Sequence, residues 1–288
     1  MNDQAENLRR IMDAPKAKAE AKVIAVVSGK GGVGKSNISL NFAISLSKKG
    51  YRVAIIDLDI GMANVDILMG LSPRYHIMNL LDSELSIWDI IEQGPEGIAY
   101  IGGGSGFSKF VELDDRKMER FFSQFELIGQ HFDYIILDMG AGATKDSIQF
   151  ILAADDVLVV TTPEPPAMTD AYAMVKYIYL NEGQMPLHII VNRADSDKEG
   201  KRTLASFQRV ASQFLQKELN PLGYIPSDPA VQKAVKAQVP FVLYKKEAKA
   251  SLAMEKLTAL YLGETAKKAV GFSQLLSKVK HLFKEKQG

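Results

Sequence analysis

The chain has 288 residues, 47% of them hydrophobic, with 35 basic and 34 acidic residues and no cysteine. That size and apolar content allow one large α/β domain with appendages, and the balanced charge argues against a whole-surface nucleic-acid binder. Without cysteine there are no disulfides, thiolate-bound zinc or cysteine-held iron–sulfur clusters, which fits a reducing cytoplasm; the polar N-terminus has no signal-peptide core, and no run approaches the roughly 18 apolar residues of a membrane span.

Residues 1–12 form a short amphipathic stretch with Ala5, Leu8 and Met12 on one helical face, closed by Pro15. So short a helix needs something to dock on. Residues 14–21 then form a linker. The β-branched run 23–27 predicts a buried strand, and Ile38, Phe42, Ala43 and Leu46 recur at helical spacing before Gly50. Between them lie Gly29, Lys30, Gly31, Gly32, Val33, Gly34, Lys35 and Ser36, which fit the phosphate-loop pattern G-x-x-x-x-G-K-[ST]. Glycines let backbone N–H groups turn toward phosphate oxygens, and the following helix adds its positive end. Lys35 is expected to contact the β- and γ-phosphates and Ser36 to ligate Mg²⁺, with Asn37 beside them in the first helical turn.

Further strands are predicted at 53–56, 134–137, 157–160, 187–191 and in a run ending at Ile225. Helical patterns cover 117–130, 170–180 and 204–219, and Gly102 to Gly106 predicts a flexible loop. Continuous apolar strands alternating with helices define the fold class: α/β, doubly wound, with a mostly parallel sheet of P-loop NTPase architecture. Ligands in such sheets sit beyond the carboxyl ends of the strands. Two strands end there in aspartate, one at Asp57 and Asp59, the other at Asp138. Ser36, Asp59 and Asp138 are therefore the candidate Mg²⁺ ligands, directly or through water.

The extra lysine after the first glycine, with these aspartates, resembles the deviant-Walker-A ATPases related to MinD and ParA, over about residues 22–262. The resemblance implies ATP/ADP and Mg²⁺ as cofactors and an ATP-dependent homodimer in which Lys30 reaches the partner's phosphates. It implies that Asp59 positions the hydrolytic water, making Lys30, Lys35 and Asp59 the catalytic set. It places Asp57 and Asn64 in a first switch, and Asp138, Gly140, Ala141 and Gly142 in a second. Asn192 and Arg193, and Pro226 with Asp228, match positions that border the adenine.

One departure is Gly140, where MinD proper usually has proline. Another is the 28 residues before Gly29. Their Asp3, Gln4, Ala5, Leu8 and Arg9 match D-Q-A-x-x-L-R, similar to the N-terminal helix of the FlhG (FleN/YlxH) regulators of flagellar number and placement. That likeness implies that Asp3, Gln4, Leu8 and Arg9 engage the FlhF GTPase, and that flagellar switch-complex (C-ring) proteins are further partners. At the other end, residues 263–288 carry Phe272, Leu275, Leu276, Val279, Leu282 and Phe283 on one face, beside Lys278, Lys280 and Lys284. This basic amphipathic face suits an anionic membrane surface, or else a terminal helix packed on the core. The resemblance favours the membrane, and so a cytoplasmic protein held peripherally at the cell membrane. The rival readings are a MinD-type division-site regulator and a ParA-type partition ATPase. The N-terminal pattern and Gly140 weigh against the first, and the neutral charge and apolar terminal face against the second.

Overall fold

The apolar runs assemble into one eight-stranded sheet: β1 (Lys22–Val27), β2 (Val53–Leu58), β3 (Glu92–Gln93), β4 (Ala99–Ile101), β5 (Tyr134–Met139), β6 (Asp156–Thr161), β7 (Leu187–Ala194) and β8 (Asn220–Pro226). The computed structural model describes residues 20–59, 64–82, 85–103, 115–142, 145–264 and 271–285. The strand order is β3-β4-β2-β5-β1-β6-β7-β8, and only β3 on β4 is antiparallel. Every residue of β2, β5 and β6 is buried, because helices cover both faces.

The helices are α1 (Lys35–Ser47), α2 (Val65–Met69), α3 (Asn79–Asp82), α4 (Asp115–His131), α5 (Lys145–Ala153), α6 (Pro165–Asn181), α7 (Asp197–Leu215), α8 (Pro229–Lys236), α9 (Phe241–Tyr244), α10 (Lys249–Glu264) and α11 (Phe272–Glu285). Alternate strand residues feed two cores. Val23, Ala25 and Val27 pack under α4 to α7 and α11, while Ile24 and Val26 face α1 and α10. None of the helices among the described residues is long and apolar enough to cross a membrane.

Two boundaries differ from the sequence reading for local reasons. Helix α6 starts at Pro165, earlier than 170, because Pro165 and Pro166 occupy its first turn, where no N–H is needed. Helix α7 starts at Asp197, earlier than 204, because Ser196 Oγ accepts the N–H of Glu199 at 3.2 Å and caps it.

The C-terminal segment is packed on the core in this structure. Its apolar face is not free for lipid in this state: Phe272, Leu275, Leu276 and Val279 are buried in the core with residues of α4 and α5. Gly129 makes room, since a Cβ there would lie 2.8 Å from the Phe272 ring. The N–H of Gly271 donates to Asp155 Oδ1 at 3.3 Å and fixes the start of α11. Full burial of each such side chain contributes about 1.5–3 kcal/mol, so α11 leaves this groove only for another apolar surface. The side chains of Leu282 and Phe283 lie outside the described residues, as do Asp3, Gln4, Leu8 and Arg9.

Candidate nucleotide-binding site

β1 ends at the phosphate loop, which passes directly into α1. Gly32 and Gly34 adopt φ of 80° and 91°, a left-handed conformation suited to glycine. Gly34 is the N-cap of α1 and supplies no side-chain acceptor, so the first N–H groups of the helix are left for an anion. Gly29 is constrained differently. A Cβ there would overlap the backbone of Asp170 and Ala171, so the loop rests directly on α6.

The charged centre is buried. Lys35 Nζ lies 2.9 Å from Asp138 Oδ1, with side-chain exposures of 6% and 0%. Ser39 Oγ donates to the same oxygen at 2.7 Å, and Lys35 Nζ is 3.4 Å from Ser36 Oγ. Ser39 was missed in the sequence, although it stands four residues after Lys35 on the same helical face. Asp57 is the register partner of Asp138 on the neighbouring strand. Its Oδ1 accepts the N–H of Asp59 at 3.0 Å and its Oδ2 that of Asn64 at 3.3 Å, which holds the backbone at both residues. Burial, and then the charge of Asp138, push the Asp57 carboxyl up to about 7. After β5, Gly142 N–H donates to Ser28 O at 3.2 Å. Beside it a Cβ on Gly140 would sit 3.6 Å from Asp59 Oδ1, so the segments that follow β2 and β5 meet.

Asp138 Oδ2 is buried and has no hydrogen-bond partner among the described residues. A buried carboxylate oxygen without a partner is a donor of the kind Mg²⁺ takes, as are the oxygens of the expected ligands Ser36 and Asp59. No group of three or more His, Cys, Asp or Glu among the described residues could hold a metal alone. A cation here would thus depend on phosphate oxygens and water as well, which is the usual state of Mg²⁺ in phosphate-loop sites.

Beside the loop is a cavity of 480 Å³ that Gly34, Asn37, Asn192, Arg193, Pro226 and Asp228 help to line. All six were expected from the sequence. Asn192 lies within β7 rather than after it, and its Nδ2 donates to Val33 O at 2.8 Å. Arg193 takes φ of 58°, a rare value for a side-chain-bearing residue that turns the strand at the cavity rim. The Asp228 carboxylate is also spent on backbone: its Oδ1 accepts the N–H of Ala230 at 2.8 Å and its Oδ2 that of Ala250 at 3.2 Å. Its carboxylate frames the cavity by capping α8 and holding α10. Gln232, Val235, Lys236 and Phe241 are also part of the wall; nothing in their spacing marked them.

Lys30 is outside the buried centre. Its Nζ pairs with Glu164 Oε2 at 2.9 Å, with exposures of 34% and 63%. That contact holds the Glu164 carboxyl below its usual range. Exposed pairs contribute little stability, so a better phosphate partner can take the lysine. No motif in the sequence announced the contact with Glu164.

Residues 24–241 match the family described as CobQ/CobB/MinD/ParA nucleotide binding domain. The chain belongs to the MinD/ParA family. Among relatives in that family, antiactivator FleN of Pseudomonas aeruginosa is 36% identical over 81% of this chain and 84% of FleN. Flagellum site-determining protein YlxH of Helicobacter pylori is 38% identical, covering 82% of each chain. The structure of the cell division ATPase MinD of Pyrococcus furiosus superposes with a TM-score of 0.69 at 26% identity, over 84% of this chain and 99% of that one. Membership of the MinD/ParA family makes the chain a MinD-like ATPase and accounts for the doubly wound sheet around its phosphate loop.

Proposed function

We propose that this ATPase binds Mg²⁺-ATP, dimerises on it, associates with the cytoplasmic face of the cell membrane and sets flagellar number and placement. The observation that carries the flagellar reading is the likeness to FleN and YlxH over more than four-fifths of the chain. The chemistry rests on the site. The first N–H groups of α1 and Lys35 bind the phosphates, and Asp138 with Ser39 holds Lys35 in place. Mg²⁺, when bound, supplies charge neutralisation at the phosphates, with Ser36, Asp59 and Asp138 as its holders. Asp59 orients the attacking water. Lys30 exchanges Glu164 for the phosphates of a second copy, as a cation supplied in trans. Asn192 and the cavity beside it take the adenine.

Membrane residence requires α11 to exchange its groove on α4 and α5 for lipid. A dimer presents two such helices, so the second binds at high effective concentration. ATP is therefore expected to drive co-sedimentation of the wild-type protein with vesicles rich in anionic lipid, and Lys30→Ala is expected to abolish that ATP dependence. Equal sedimentation of the variant in ATP overturns the coupling.

The D-Q-A-x-x-L-R pattern supports a second activity, stimulation of FlhF, with Gln4 entering the GTPase site while Leu8 and Arg9 dock. A peptide of residues 1–20 is expected to accelerate GTP hydrolysis by FlhF, and Gln4→Ala to remove the effect. A Gln4→Ala peptide acting at full rate refutes the assignment. Flagellar switch-complex proteins complete the proposed partner set.

A further inference from the structure

Strand β8 ends the sheet, and among the described residues only β7 pairs with it. Its outer edge opens on a groove of 590 Å³ between the start of α7 and the length of α10. Pro221 and Pro226, which have no N–H, bracket residues 222–225, leaving a short stretch able to pair. Gly223 lets α10 approach, since a Cβ there would lie 2.6 Å from Leu257 Cδ2.

The α10 wall has a pattern. Lys249, Leu252, Lys256 and Leu260 all line the groove. Leu252 is 54% exposed and Leu260 42%, although both are large apolar residues. Lys249 and Lys256 are exposed and form no ion pair among the described residues. At 1.5 Å per residue these four lie about 4.5, 6 and 6 Å apart along the helix. Same-face residues of a strand repeat at about 6.6 Å. A strand laid along β8 therefore sets successive same-face residues opposite lysine, leucine, lysine and leucine. Asp195 and Asp197 stand at the carboxyl end of β8 and exclude acidic residues from that side.

We propose that this groove docks an extended segment of a partner protein in which acidic and apolar residues alternate on one face. The segment adds as a ninth strand to β8: backbone hydrogen bonds hold it, and the α10 wall reads its side chains. The occupant is a peptide rather than a second copy, because the α10 wall leaves strand-sized space beside β8 and its two unpaired cations call for acidic partners.

The test uses the full-length protein and a fluorescein-labelled peptide, Glu-Thr-Leu-Thr-Glu-Thr-Leu, read by fluorescence anisotropy. Saturable binding is expected at peptide concentrations below about 1 mM. The double variant Lys249→Glu, Lys256→Glu is expected to weaken it about tenfold or more while leaving ATP turnover unchanged, which shows an intact fold. A peptide with proline at the threonine positions, whose fixed φ favours polyproline II over a β-strand, is expected not to bind. Absence of saturation, equal binding by the double variant, or equal binding of the proline peptide overturns the proposal.

Discussion

Lys35→Ala is expected to lower the melting temperature of the nucleotide-free protein by roughly 10 °C, besides reducing ATP turnover about a hundredfold or more. The first effect has nothing to do with nucleotide. Lys35 is the cation 2.9 Å from a fully buried carboxylate, and Asp57 lies in register beside that carboxylate. Removing one partner of a buried pair leaves an uncompensated charge, at about 3–5 kcal/mol. Ser39 cannot offset this, because a neutral hydroxyl donates one hydrogen bond and carries no charge. Asp138→Ala alone is expected to be destabilising for the complementary reason. The double variant, with neither charge, is expected to melt above the sum of the two single losses. Scanning calorimetry of the four proteins in chelator checks this, and strict additivity of the single effects overturns it.

The second large effect is on pH dependence. The Asp57 carboxyl is held up to about 7 in the fold, against an ordinary aspartate value of 3.8. Between those values the unfolded chain has released this proton and the folded protein has not. The contribution of Asp57 to stability is thus intact below about pH 4, declines as pH rises, and is fully lost once pH passes about 7. The span corresponds to a few kcal/mol. Asp57→Asn removes the titration and keeps an acceptor oxygen for one of the two N–H groups, Asp59 or Asn64, the loss of the other being a cost that does not vary with pH. In the absence of metal and nucleotide, the variant is expected to gain melting temperature over the wild type as pH rises from 4.5 to 8. A difference between the two proteins that stays constant across that interval refutes the shift.

What could be read from the sequence follows from how local each signal is. The phosphate loop, the paired strand-end aspartates and the sheet class were legible because each rests on a short apolar run plus its next few residues. Asn192, Arg193 and Pro226 were found through family likeness, and the cavity brings them together. Asp228 was read as bordering the base and it lines the cavity, but that its carboxylate holds the N–H groups of Ala230 and Ala250 is a tertiary feature with no local signal. The Lys30–Glu164 contact joins positions 134 apart in the chain and leaves no periodicity. The face of α11 showed why amphipathicity alone is ambiguous: Phe272, Leu275, Leu276 and Val279 form the same stripe whether they meet lipid or Gly129 and its neighbours. The glycine opposite Phe272 was the one local clue, and it lies on a different helix.

Pro226 and Ser227 wall both the cavity beside the phosphate loop and the groove along β8. Two ligands separated by one turn of backbone share a single mechanical boundary. Whatever factor the occupant of one space imposes on affinity in the other is returned unchanged, since coupling between two binding equilibria is reciprocal. The end of β8, stiffened by Pro226 and anchored by the Ser227 N–H to Ala194 O at 2.8 Å, is thus placed to carry such coupling without any domain motion.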